Sequence, residues 1–93
     1  MRRAAKIDAN HRDIVTVLRA YGASVQTLAA VGQGVPDLLV GYQGRNYLVE
    51  VKDGNKSPSR RRLTDDQEAW RETWRGELPY VVRDREDAMA MLR

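Results

Sequence analysis

Ninety-three residues with no cysteine, one histidine and two tryptophans describe one small domain spanning residues 1–93. That inventory excludes disulfides, thiolate zinc sites, cysteine nucleophiles and multi-histidine metal clusters. No apolar run approaches the ~18 residues of a membrane span, and no secretory signal follows the basic start. The expectation is a soluble cytoplasmic chain with no membrane partner and no small-molecule cofactor. Sixteen Lys and Arg against thirteen Asp and Glu leave a net charge of +3, but the distribution is uneven. Lys52, Lys56, Arg60, Arg61 and Arg62 crowd into residues 52–62 against Asp53 alone. Such a stretch either meets a polyanion such as nucleic acid or is a solvated loop with no ligand.

In chain order, Asp8 and Asn10 are candidate N-caps for a helix running to about Tyr21, where Gly22 stops it. Ile14, Val15, Val17, Leu18 and Tyr21 form its apolar face. Ser24 to Ala29 alternates weakly and reads as a strand. Gly32, Gly34 and Pro36 then force an irregular connection that brings Pro36 and Asp37 into place. Asp37–Tyr42 and Arg45–Lys52, joined by Gln43-Gly44, read as a β-hairpin. Both of its faces are largely apolar, which calls for helices on both sides of the sheet. Thr64 and Gln67 make a capping-box pattern that opens a helix ended by Gly76. Pro79–Arg83 reads as a fourth strand, and Asp84 caps a last helix with Ala88, Met89 and Leu92 facing the core. The predicted order is α-β-β-β-α-β-α.

The hairpin arithmetic locates the chemistry. With Gln43-Gly44 as a two-residue turn, Tyr42 faces Arg45, Val40 faces Tyr47, Leu39 faces Leu48 and Leu38 faces Val49. Asp37 then falls opposite Glu50, and the period of two puts Lys52 on the same face as Glu50. Like charges placed opposite in a sheet are destabilising, so the pair calls for a cation between them. Magnesium, a hard ion that takes one or two carboxylates with water and phosphate, suits it, and the Val51 main-chain carbonyl adds an oxygen. Lys52 would favour a hydroxide or neutralise charge as it develops. The plainer alternative is an Asp37 that caps its turn beside a Glu50–Lys52 surface ion pair.

At Val35-Pro36-Asp37, followed thirteen residues on by Glu50-Val51-Lys52, the chain resembles the PD-(D/E)xK nuclease superfamily. More narrowly, Gly34-Val35-Pro36-Asp37, Glu50-Val51-Lys52 and Gln67 resemble the small stand-alone VRR-NUC proteins of phages and bacteria, over nearly the whole chain. The resemblance implies an α/β fold with an αβββαβ restriction-endonuclease-like core, its mixed four-stranded sheet flanked by helices on both faces. It implies hydrolysis of DNA phosphodiester bonds with Mg2+, or Mn2+ in its place, on structured or branched substrates such as Holliday junctions. The setting would be the cytoplasm of a bacterial or phage-infected cell. Asp37, Glu50 and the Val51 carbonyl would hold the metal, Lys52 would position or activate the nucleophile, and Gln67 would stand near the site. Lys56, Arg60, Arg61 and Arg62 would grip the phosphate backbone.

One position departs from the pattern. Many members carry a glutamate early in the first helix that reaches the metal; here Asn10 takes that place, an uncharged ligand candidate, and Asp8 or Asp13 would substitute only if the helix were rotated or shifted. Gln67 has a second reading as an ordinary capping-box residue. His11 reads as a solvent-facing helix residue rather than a base. Trp70 and Trp74 read as core or dimer interface rather than a base-stacking platform. Because 93 residues offer little surface to enclose a duplex, a homodimer is expected. Two alternatives to a nuclease stand beside this reading: a nucleic-acid-binding module on the same fold with little turnover, and an interaction protein built on the Trp70–Trp74 stripe.

Overall fold

The first helix, α1 (Ala9–Ala20), forms because Ile14 and Leu18, four residues apart, present one apolar stripe; both side chains are fully buried. It ends where Gly22 takes a φ of +103°, which lets Ala23 N–H reach Leu18 O and Gly22 N–H reach Arg19 O, a glycine-terminated helix end. Tyr21, expected on the buried face, lies beyond this end and is exposed. The structure is a computed structural model and describes residues 9–54 and 62–93. The Asp8 cap, the Ser57-Pro58-Ser59 loop and Lys56, Arg60 and Arg61 lie outside the described residues.

Strands β1 (Ser24–Thr27), β2 (Leu38–Tyr42) and β3 (Arg45–Val51) are antiparallel neighbours, and β4 (Tyr80–Val82) joins parallel to β3, giving the sheet order β1-β2-β3-β4. The β2–β3 register has the expected pairs, from Tyr42 opposite Arg45 to Leu38 opposite Val49. Gln43 and Gly44 both have positive φ, +50° and +80°, as a two-residue turn between right-twisted strands requires. Strand β1 is shorter than its alternation predicts. At its end Thr27 Oγ1 accepts the Ala29 N–H and turns the chain toward the glycine-rich connection.

Helix α2 (Asp65–Thr73) opens with the expected capping box, and α3 (Arg85–Leu92) opens on Asp84, whose carboxylate accepts the Asp87 N–H at 2.8 Å. Two details differ from expectation. Helix α2 stops at Thr73, ahead of Gly76, because Trp74 turns extended and its ring stacks back on Trp70, 4.6 Å between centroids. In α3 it is Met91, rather than Met89, that packs on the core with Ala88 and Leu92, since a three- and four-residue spacing keeps one face.

Helices α1 and α3 cover one face of the sheet, where Leu38, Val40, Tyr47, Val49 and Val82 meet Ile14, Leu18, Ala88 and Leu92 in a dry core. Helix α2 lies on the other face, over the end of β3. The fold is thus α/β, three described helices around a mixed four-stranded sheet, of the restriction-endonuclease-like kind.

Candidate active site

Glu50 is the buried charged side chain among the described residues, 3% exposed, and everything at the site is arranged around it. The alternation that sends Val49 into the core sends Glu50 to the α2 face, and Asp37, one residue ahead of β2, stands across from it. The Glu50 carboxyl is pushed up to about 8, first by burial and then by the charge of Asp37 and a hydrogen bond with it. Lys52 and Arg71 pull in the opposite direction without prevailing. Burial beside the Asp37 carboxylate thus makes an ionised Glu50 costly unless a cation compensates it.

Gln67 organises the rest. Its Nε2 donates to Glu50 Oε2 at 2.5 Å, while its Oε1 accepts from Lys52 Nζ at 2.9 Å and from the Thr64 N–H at 2.8 Å. The two readings of this residue are therefore one: the capping box fixes the side chain, and the fixed side chain bridges an acid and an amine. Helix α2 comes near enough because Gly34 lies under it. A Cβ on Gly34 would fall 2.2 Å from Asp66 O, and its φ of +82° suits glycine in any case. The glycine expected to place Asp37 thus also seats the helix that carries Gln67.

Asp37 is anchored through Oδ2, which accepts the Val51 N–H at 2.8 Å, while its own carbonyl accepts from Leu28 N–H at 2.7 Å. Lys52 N–H continues the ladder to Val82 O, so the alternate residue Val51 turns its main-chain groups toward the β2 side. Its carbonyl lies on the side that Asp37 occupies. Two hard carboxylates and a carbonyl fit a divalent ion that completes its shell with water.

The remaining candidates fall elsewhere. Asn10 stands close by, but its Nδ2 donates to the carbonyls of Lys52, at 2.8 Å, and Arg83, at 3.3 Å. His11 is half-buried rather than solvent-facing. With Arg12, Val15, Val25 and Leu38 it lines a cavity of about 350 Å3 between α1 and β1, into which no described carboxylate points. Arg62 is exposed. Trp70 and Trp74 stack on each other outside the core, Trp74 at 45% exposure. Arg71 is a further member of this cluster that sequence reasoning missed: half-buried, it donates from Nη1 to Pro79 O at 3.1 Å, and its charge favours the ionised form of Glu50. Its signal was present, since it follows Gln67 by four residues on the same helix face.

An acid pair at a strand end, a lysine two residues on and a glutamine from the next helix, on an αβββαβ frame, are similar to the PD-(D/E)xK arrangement. No protein-family model matches the sequence, and no curated protein matches it. A solved VRR_NUC domain does match, with a TM-score of 0.61 and 29% identity over 86% of this chain and 86% of that one. The chain is a small VRR-NUC-like domain. Among the described residues no helix is long and apolar enough to cross a membrane.

Proposed function

We propose that this domain is a nuclease that hydrolyses DNA phosphodiester bonds with a divalent cation, Mg2+ or Mn2+, as an endonuclease on structured or branched substrates. The observation that carries the reading is the continuous chain Asp37–Glu50–Gln67–Lys52 at one sheet end, on a fold similar to a VRR_NUC domain.

Asp37, Glu50 and the Val51 carbonyl would hold the ion. When bound, it polarises a phosphoryl oxygen and lowers the pKa of a coordinated water. As a ligand Glu50 would be ionised, so cation binding would be accompanied by proton release. Gln67 keeps one Glu50 oxygen in place and leaves the other side of the carboxylate toward Asp37. Lys52, its Nζ held by Gln67 Oε1, presents an ammonium beside the carboxylates, where it orients the attacking water and offsets the charge that builds on the phosphate. Arg62, with Lys56, Arg60 and Arg61, supplies sequence-independent backbone contacts. Two chains acting on two strands make a homodimer the working unit, in the cytoplasm of a bacterial or phage-infected cell.

The test is a cleavage panel of junction, flap, nicked, duplex and single-stranded DNA with Mg2+, Mn2+ or chelator. The expected result is cation-dependent internal cleavage, strongest on a branched substrate. Binding to all substrates without cleavage, unchanged by chelator, would replace the enzyme with a binding module of the same fold.

A further inference from the structure

We propose that Asn10 is a positioning residue that ties the ends of β3 and β4 together beneath Lys52, rather than a ligand of the cation; its catalytic consequence rests on the nuclease reading above. Both partners of its Nδ2, Lys52 O and Arg83 O, are main-chain carbonyls, which only accept. The amide therefore faces them with its nitrogen. These carbonyls lie where the parallel ladder runs out. Val51 pairs with Val82, Lys52 N–H reaches Val82 O at 2.9 Å, and Gly54 N–H reaches Arg83 O at 3.2 Å. Beyond that point no strand continues among the described residues; Arg83 O already accepts the Gly54 N–H, while Lys52 O takes its donor from Asn10.

Helix α1 supplies it from a rigid base. Asn10, Ile14 and Leu18 follow at four-residue intervals on one stripe, and the two apolar members are fully buried. The core thus sets where the amide stands. Lys52 is then held at three points: its N–H by Val82, its carbonyl by Asn10 and its Nζ by Gln67. A carboxylate at position 10 would set negative charge against two carbonyl oxygens, so an acid is disfavoured at this place for the same reason that the amide fits it. Among the described residues of α1 the one acid, Asp13, is paired with Arg85, and the candidate donor set remains Asp37, Glu50 and the Val51 carbonyl.

Asn10→Asp and Asn10→Ala separate clamp from ligand. In the metal-free protein both should speed amide hydrogen exchange at Lys52 and Gly54 by about tenfold, with the Val40 and Val49 amides unchanged. Calorimetric titration with Mn2+ should give both variants an affinity within about twofold of the parent, and single-turnover cleavage should fall by about tenfold in each with KM for DNA unchanged. Asn10→Gln, which keeps the donor, should recover part of the rate. Tighter Mn2+ binding in Asn10→Asp with weaker binding in Asn10→Ala would make Asn10 a ligand and overturn the proposal, as would unaltered exchange at Lys52 and Gly54. If the parent protein cleaves no DNA, the nuclease reading fails by itself, and exchange and Mn2+ titration still decide the clamp.

Discussion

The two faces of the sheet are built from different interactions. Against α1 and α3 the packing is apolar and closed: Ile14, Leu18, Leu38, Val40, Val49, Val82 and Ala88 are at most 1% exposed. Against α2 no helix residue is buried, and Leu39, Leu48, Trp74 and Leu78 line an open cavity of about 350 Å3. The second helix is held instead by polar ties, Gln67 to Glu50 and Lys52, and Arg71 to Pro79 O. Strand β3 divides the two tasks between neighbours, Val49 for the core and Glu50 for the site. The apolar core and the polar cluster therefore draw on different, neighbouring residues, so the core can be opened without touching the cluster.

Substitution on either side of that divide produces the largest effects. Glu50→Gln and Lys52→Ala should each lower cation-dependent cleavage by about 100- to 1000-fold, a loss of the size seen when one charge-stabilising group is removed from a site. Circular dichroism and thermal unfolding should show the fold retained. Ile14→Ala, on the other face, should cost about 2–5 kcal/mol of stability, as cavity-forming core truncations do, while the activity of the molecules still folded at low temperature stays near the parent's. A Glu50→Gln protein that unfolds, or an Ile14→Ala protein that folds normally but is inactive, would remove the division.

The sequence carried one face more fully than the other, for physical reasons. Hairpin register follows from turn length and a period of two, so the placement of Asp37 across from Glu50 needed only Gln43-Gly44 to be a tight turn, and their positive φ values make it one. The apolar stripe of α1 was readable for the same reason, periodicity. What periodicity does not contain is which atom of an amide faces which partner. Asn10 read as an oxygen donor toward a metal, while its nitrogen faces two carbonyls. Gln67 read as cap or site residue, while the cap geometry itself sets its side chain against Glu50 and Lys52. The end of α2 lies three residues before Gly76 because Trp74 keeps its N–H bond to Trp70 O but takes an extended ψ, a backbone choice that composition does not mark.

An intermediate effect lies at Gly34, where α2 is seated. Gly34→Ala sets a Cβ against Asp66 O and forces a side chain onto a φ of +82°. The expected cost is about 1–3 kcal/mol, with α2 displaced rather than the core opened. Cleavage should fall at least about tenfold, more than the drop in stability explains, because Gln67 leaves Glu50 and Lys52 together. Gly32→Ala is the control: its φ is also positive, +72°, but a Cβ there meets nothing within 4 Å. It should carry only backbone strain, about 1–2 kcal/mol, and leave activity at the parent level. Equal activity losses in the two variants would mean that the connection, and not the seat of α2, matters to the site.

The smallest effect is one of pH, and it isolates the electrostatic strain at Glu50. A carboxyl whose ordinary value near 4.5 rises to about 8 on folding binds its proton more tightly in the folded chain. Its contribution to stability is present in full below about 4.5 and is lost as pH climbs through about 8, because unfolding then releases a charge from a site that resists it. Allowing for relaxation and water entry at the sheet end, the loss should amount to about 1–2 kcal/mol. Glu50→Gln keeps the shape and an acceptor for Gln67 Nε2 but never ionises. Metal-free Glu50→Gln and the parent should therefore unfold at the same urea concentration at pH 4.5, with the variant more stable at pH 8.5. Subtracting the two curves cancels the carboxylates that do not interact with Glu50, including Asp13, which Arg85 holds below its usual range. Saturating Mn2+ should reverse the order at pH 8.5, since the ion compensates the charge in the parent and finds one carboxylate fewer in the variant. A parent protein as stable as Glu50→Gln at pH 8.5 without metal would mean that Glu50 ionises beside Asp37 at little cost, and that the site does not call for a cation.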